Sequence, residues 1–219
     1  MRALVTGGTG RVGSAIAARL KRDGWTVVAA GRADGDVSRP DEARTLVAGA
    51  VERLAGLDLL VNAAAEGFVP KAIDELDEHD WDAAFGATAK GSFFVTQAAA
   101  THLREARGVV VMIEDVAGYQ PWPSFAAHCA AKAAQAMLTR VLARALAPEV
   151  RVCGIAPGPV AVESGQEERR AAETALGRIG TPDDVAAAVV FLAGADFVTG
   201  TSLVVDGGRL LQSGGRTHA

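Results

Sequence analysis

The sequence holds a single tyrosine, Tyr119, and only two cysteines among its 219 residues. Cys129 and Cys153 are too few for a disulfide scaffold and fit a reducing cytoplasm. His79, His102 and His218 show no metal-ligand spacing with those cysteines, so no metal site is expected. A G-x-S-x-G elbow is absent, which argues against a serine hydrolase although Asp115 and His128 are both available. No apolar run has the length needed to span a bilayer. The opening MRALVTGG reads directly into a strand, so no signal peptide is expected. Neither charge sign dominates: 22 basic and 26 acidic residues give a net charge of −4, and the basic residues are scattered. Nucleic acid and acidic membrane surfaces are thereby excluded as main partners.

What is present is a globular composition, 49% hydrophobic and 22% charged, with enough chain for one continuous core. Short apolar runs alternate with longer amphipathic segments from end to end. That is the pattern of an α/β fold, a doubly wound parallel sheet covered by helices on both faces. Strands are expected at 3–5, 25–30, 57–61, 109–113, 150–155 and 202–205. Helices are expected at 11–23, 40–54, 81–107, 125–146 and 182–192, with Gly24 closing the first. Only Gly31 to Arg39 fills the gap after the second strand, so the sheet is shortened there, at an edge. No linker or repeat interrupts the pattern, and residues 1–211 are expected to form one domain followed by a loose tail, 212–219.

Thr6-Gly7-Gly8-Thr9-Gly10-Arg11-Val12-Gly13 follows the first strand and opens the first helix. Glycines there let the backbone turn sharply and approach a pyrophosphate, which the helix N-terminus attracts. Arg32 lies just past the second strand, where the adenosine ribose of a bound dinucleotide would sit. A guanidinium there suits a 2′-phosphate, Arg11 points the same way, and NADP(H) is favoured over NAD(H).

With Leu60–Ala65, Pro157-Gly158, Arg178–Val185, Thr199-Gly200 and Val205–Gly208, this turn resembles the short-chain dehydrogenase/reductase family over nearly the whole chain. The resemblance implies a Rossmann-type sheet, a nicotinamide cofactor, hydride transfer involving a carbonyl or imine of a small molecule, and a homodimer or homotetramer. It also assigns cofactor contacts to Gly7, Gly10, Arg11, Val12, Gly13, Asp36 and Val37, with Asn62-Ala63-Ala64 passing along the cofactor. Pro157 to Val160, with Gly158 between them, would then hold the nicotinamide carboxamide.

The family places a Tyr four residues before a Lys, so that both side chains share a helical face. Here the Lys is Lys132 and the Tyr position holds His128. The resemblance gives Lys132 the nicotinamide ribose. Asp115 stands where the family carries a Ser, and Thr88 where many members carry an Asn. Arg11 and Asp115 resemble the pteridine-reductase branch. Two readings of His128 are open: a general acid–base with a reference imidazole pKa of ~6.5, or a side chain that only satisfies the helix start. Imidazole is also shorter than phenol, which would call for a bridging water or a longer substrate. A dinucleotide-binding protein with little or no turnover is the corresponding rival function.

Asp115 is expected to contact substrate or orient His128, or else to cap its loop or pair with a surface charge, and Glu114 to face solvent or a helix end. Tyr119, Trp122 and Phe68 could line a pocket for a flat, pterin-like substrate, or could simply pack their loop. Val160–Ala175 corresponds to the family's substrate-covering segment. The two long helices carry apolar residues such as Phe93, Phe94, Val95, Met137, Leu138 and Val141, which are expected to form a subunit interface.

Overall fold

A computed structural model describes residues 1–67, 69–160, 162 and 164–212. Six strands form one parallel sheet: β1 (Arg2–Thr6), β2 (Thr26–Ala30), β3 (Leu59–Asn62), β4 (Val109–Ile113), β5 (Arg151–Pro157) and β6 (Ser202–Val205). Their spatial order is β2-β1-β3-β4-β5-β6. The chain therefore winds outward from β1 to β2 and then crosses back to β3. That reversal opens a crevice at the carboxyl ends of β1 and β3, the position at which such sheets bind ligands.

Alternation along the strands builds the two faces. Leu4, Leu60, Val110, Met112 and Val152 pack under α2 (Pro40–Leu54), α4 (Ser92–Ala106) and α5 (Ala126–Leu146). Ala3, Val5, Leu59, Val61, Val111 and Ile155 pack under α1 (Arg11–Arg22) and α7 (Pro182–Gly194). All five residues of β4 are buried, as expected for a central strand covered on both sides. At the opposite margin β6 exposes Leu203 and Val204.

The shortening after β2 is visible as a one-turn helix, Arg32–Asp34, followed by the loop that reaches α2. As a result β2 is the edge strand. The expected helix over 81–107 is instead α3 (Glu78–Phe85), a π turn (Gly86–Gly91) and α4. A π insertion changes the facing of the side chains that follow it and recurs at functional sites. The third strand starts at Leu59, two residues later than the apolar run suggests, because Asp58 is engaged with Arg2 at 2.6 Å. The strand expected over 150–155 runs on to Pro157. A short α6 (Glu167–Ala172) lies in the segment after β5.

The expected apolar interface needs correction at Val95, which is 1% exposed and belongs to the core. Phe93, Phe94 and Leu138 are partly buried against that core, whereas Met137 and Val141 remain exposed. Among the described residues no helix is long and apolar enough to cross a membrane. Most of the proposed tail, 213–219, lies outside the described residues.

Candidate active site

The turn after β1 forms the inner wall of the crevice. Gly7 has φ +64°, and a Cβ on it would lie 2.5 Å from the Ala63 carbonyl oxygen. A Cβ on Gly13 would lie 2.2 Å from the Gly7 carbonyl oxygen, so α1 packs against the turn only because that side chain is missing. The first turn of α1 has no acidic residue and Gly10 caps it without a side chain, which leaves its N–H groups open to an anion. A cavity of about 210 Å³ runs from here past Arg32, Asp36 and Val37 to Ala63, Ala64 and Ala65. Such a cradle fits a dinucleotide. Val12, in the first turn of α1, is partly buried against the core and does not line this cavity.

Arg32 Nη2 donates to Glu66 Oε2 at 2.6 Å across the mouth of this cavity. The Asp36 carboxylate accepts from the Ser38 N–H at 2.9 Å, and hydrogen bonding from Ser38 holds it below the usual carboxylate range. Asn62 is buried beneath the cavity floor, its amide donating to Thr96 Oγ1 at 3.0 Å, and Ala63 and Ala64 form the lining instead. Asn62 Oδ1 has no hydrogen-bond partner among the described residues. Arg11 Nη1 donates to the Val162 carbonyl at 3.1 Å, joining α1 to the segment after β5. In that segment the Gly158 N–H donates to Val205 at 3.0 Å and Val160 forms a bridge to Gly180.

On the other side of the crevice, α5 starts at Ala126 and presents His128 and Lys132 from one face, both buried. His128 Nε2 lies 3.4 Å from Asp115 Oδ2. The other Asp115 oxygen accepts from the Ala117 N–H at 2.8 Å, so the carboxylate is fixed by the turn it opens. Lys132 Nζ donates to the Ile113 carbonyl at 2.9 Å, the Glu114 carbonyl at 3.4 Å and Gln135 Oε1 at 3.2 Å. Burial pushes its pKa down, opposed by the charges of Asp115 and Glu114. Thr88 is buried within the π turn, which packs against α5.

Glu114 departs from the sequence expectation. It does not face solvent or a helix end: it is 2% exposed and accepts from Tyr119, Thr139 and Ser202. The signal for its burial was the alternation Val110, Met112, 114, which puts it on a covered face. Tyr119 keeps an exposed ring, but its hydroxyl is turned to Glu114 at 2.7 Å. Burial and the neighbouring Glu114 carboxylate push this phenol up to about 12. Trp122 stacks under Arg209, whose guanidinium lies 4.6 Å from the ring centroid and pairs with Glu173 at 2.9 Å. Arg209 is far away in sequence, and no local pattern marks it as a neighbour of Trp122. Phe68 lies outside the described residues. Among the described residues there is no cluster able to hold a metal.

A cradle for a dinucleotide beside the buried His128 and Lys132 and the half-buried Asp115 is joined by one decisive comparison. The family model described as Enoyl-(Acyl carrier protein) reductase matches residues 30–209. The chain belongs to the short-chain dehydrogenase/reductase family. An uncharacterized oxidoreductase of Methylorubrum extorquens is 35% identical to this reductase-family chain, covering 94% of it and 96% of the relative. The 3beta-hydroxysteroid dehydrogenase 1 of Eggerthella lenta is 34% identical over 96% of the chain and 94% of its own length. The 3-ketoacyl-(acyl-carrier-protein) reductase of Brucella melitensis, solved with NADH, superposes with a TM-score of 0.88 at 27% identity. It covers 95% of this chain and 97% of its own. Membership makes the protein an oxidoreductase of the short-chain type, acting on small molecules.

Proposed function

We propose that this short-chain dehydrogenase/reductase transfers hydride between NADP(H) and a carbonyl or imine of a small molecule, with His128 as the proton-transfer group. The observation that carries the reading is the contact of His128 Nε2 with Asp115 at 3.4 Å, one helical turn before the buried Lys132. Gly7, Gly10 and the α1 N-terminus would cradle the pyrophosphate, Asp36 and Val37 the adenine, and Ala63 and Ala64 the central stretch. Pro157, Gly158 and Val160 would hold the carboxamide end. A reduced nicotinamide, when bound, supplies the hydride.

The residues of this chain supply the rest. When protonated, His128 would hold a proton at Nε2, the edge near Asp115, and a substrate oxygen or nitrogen brought to that edge would accept it, leaving the neutral ring. Asp115 fixes the ring and is itself held by the Ala117 N–H. Lys132 lies one helical turn after His128, and its longest contact, 3.4 Å to the Glu114 carbonyl, is the one a ribose hydroxyl would replace most easily. Arg32 selects the 2′-phosphate after exchanging its exposed Glu66 partner. Thr88, in the π turn, supports α5 from behind. Trp122 and the exposed ring of Tyr119 offer a flat surface, so pterin-like compounds belong among the first substrates. Oligomerisation through the exposed Met137 and Val141 on α5 is part of the same reading, as is a cytoplasmic location.

One observation favours a second reading, nucleotide binding without turnover: all three protons of the Lys132 ammonium already have protein acceptors. Following NADPH oxidation over a panel of aldehydes, ketones and dihydropterins, with wild type and His128→Phe, separates the two. Turnover by wild type that falls by about 100-fold in the variant is expected for a working acid. Saturable binding with no turnover on any substrate would support the second reading. A gain of activity in His128→Tyr would do the same.

A further inference from the structure

Glu114 is a buried carboxylate that the proposed proton transfer leaves unused. It follows β4 on the face that carries Val110 and Met112, and α5 covers it. Three hydroxyls from three separate parts of the chain converge on it. Tyr119 Oη donates to Oε2 at 2.7 Å, while Thr139 Oγ1 and Ser202 Oγ donate to Oε1 at 2.6 and 3.0 Å. Such a set of donors suits the ionised, acceptor-only carboxylate. Room for it exists because residue 154 is glycine: a Cβ there would lie 2.0 Å from Oε1. The backbone of β5 has been cut back beneath a charge.

The peptide that bears this charge is also the floor under Lys132. Nζ donates to the Ile113 and Glu114 carbonyls, and its remaining contact is the amide oxygen of Gln135. None of these acceptors is charged, and a buried ammonium is retained as a cation only with a counter-charge nearby. Around Lys132 the titratable groups are Glu114 from the end of β4, Asp115 and Tyr119 from the turn after it, and His128 and Cys129 from α5. The π turn carries the buried, neutral Thr88 and the exposed Lys90, and α3, which packs against α5, carries Glu78, His79, Asp80 and Asp82. Arg140 of α5 bears on Tyr119, and Arg209 bears on Asp115 from the C-terminal segment. The anions that act on the ammonium are Asp115 and Glu114. They differ in one respect: the Asp115 side chain is 23% exposed and tied to His128, whereas Glu114 is sealed. Asp115 thus also faces the proposed reacting group, whereas the Glu114 carboxylate faces only its clamp.

We propose that Glu114 is a positioning residue, whose clamped carboxylate fixes the end of β4 beneath Lys132 and serves as a counter-charge to its ammonium. Tyr119, Thr139 and Ser202 are the clamp. The inference rests on Lys132 being part of the site, but the property it assigns belongs to the protein without nucleotide.

The test is a titration of the free protein carrying ¹³C-labelled lysine, in which the chain's four lysines give four ε-carbon resonances and Lys132→Met assigns the one of interest. Wild-type Lys132 should be protonated at pH 7. In Glu114→Gln its midpoint should fall by about one pH unit or more, while Lys21, Lys71 and Lys90 stay in place. Glu114→Asp, which keeps the charge, should restore most of the shift. If the glutamine variant does not fold, Glu114→Ser, a smaller neutral side chain that admits water, gives the same reading. A neutral Lys132 in the wild type at pH 7, or a midpoint unmoved in the neutral variants, would overturn the proposal. A purely structural Glu114 would lower the melting temperature without moving the Lys132 midpoint. Failure to bind nucleotide would refute the proposed function and leave this titration intact.

Discussion

The two sides of the crevice are built by different means. On the adenosine side, the shape comes from backbone: Gly7 in a left-handed conformation and Gly13 against the Gly7 carbonyl. On the side proposed for proton transfer, side chains from the segment after β4 and from α5 meet in a polar cluster of the half-buried Asp115 with the buried His128, Lys132 and Glu114. Backbone cradles allow few residue types at each position and so leave a readable trace. A side-chain cluster can be rebuilt with other groups while the scaffold stays the same. In the proposed reading, this chain keeps the first and has rewritten the second.

Gly13→Val should break the comparison most severely, because its side chain cannot enter the space facing the Gly7 carbonyl. Calorimetry is expected to show no nucleotide binding, with stability lowered by about 3 kcal/mol in denaturant titration. Binding near the wild-type level would mean that the turn is not the cradle.

Asp115→Asn probes the opposite side. Turnover of whichever substrate is found should drop by about 100-fold with nucleotide affinity within about threefold, the split expected when proton transfer alone is injured. Equal losses in both would show that the two sides are not separable.

Arg32→Ala should sharpen the picture within the adenosine side. NADPH should bind about 10-fold more weakly with NADH nearly unaffected, since one charge-assisted contact is lost. An equal loss for both nucleotides would remove Arg32 as the 2′-phosphate reader.

The smallest effect is expected at Asp184, whose carboxylate pairs with Arg178 at the surface. Arg178 and the Thr181 N–H hold its carboxyl down to about 2. A depressed carboxyl stabilises the fold fully above the unfolded value near 4, and that contribution fades as pH falls through the folded one. Asp184→Asn should therefore cost roughly 2–4 °C in Tm at pH 7 and almost nothing near pH 2. Exposure of the ion pair keeps the effect small.

How far each region could be read in advance follows from the same contrast. The order of strands and helices, the glycine turn and the trimmed edge after β2 are all carried by local pattern. The break of the long helix into α3, the π turn and α4 has no comparable mark, since Gly86 and Gly91 are common within helices that contact their neighbours closely. Glu114 shows why polarity alone misleads. Its charge suggests a surface position, and its strand register places it inside, where Gly154 and three hydroxyls from remote segments accommodate it. Trp122 under Arg209 depends on the C-terminal segment folding back and is not visible in either residue's own neighbourhood.

The most direct measurement is a calorimetric titration of the wild-type protein with NADPH and, separately, NADH at pH 7. Saturable binding of one nucleotide per chain, tighter for NADPH, is the predicted result. Absence of heat and of saturation with either nucleotide at millimolar concentration would contradict the dinucleotide site on which the whole reading stands.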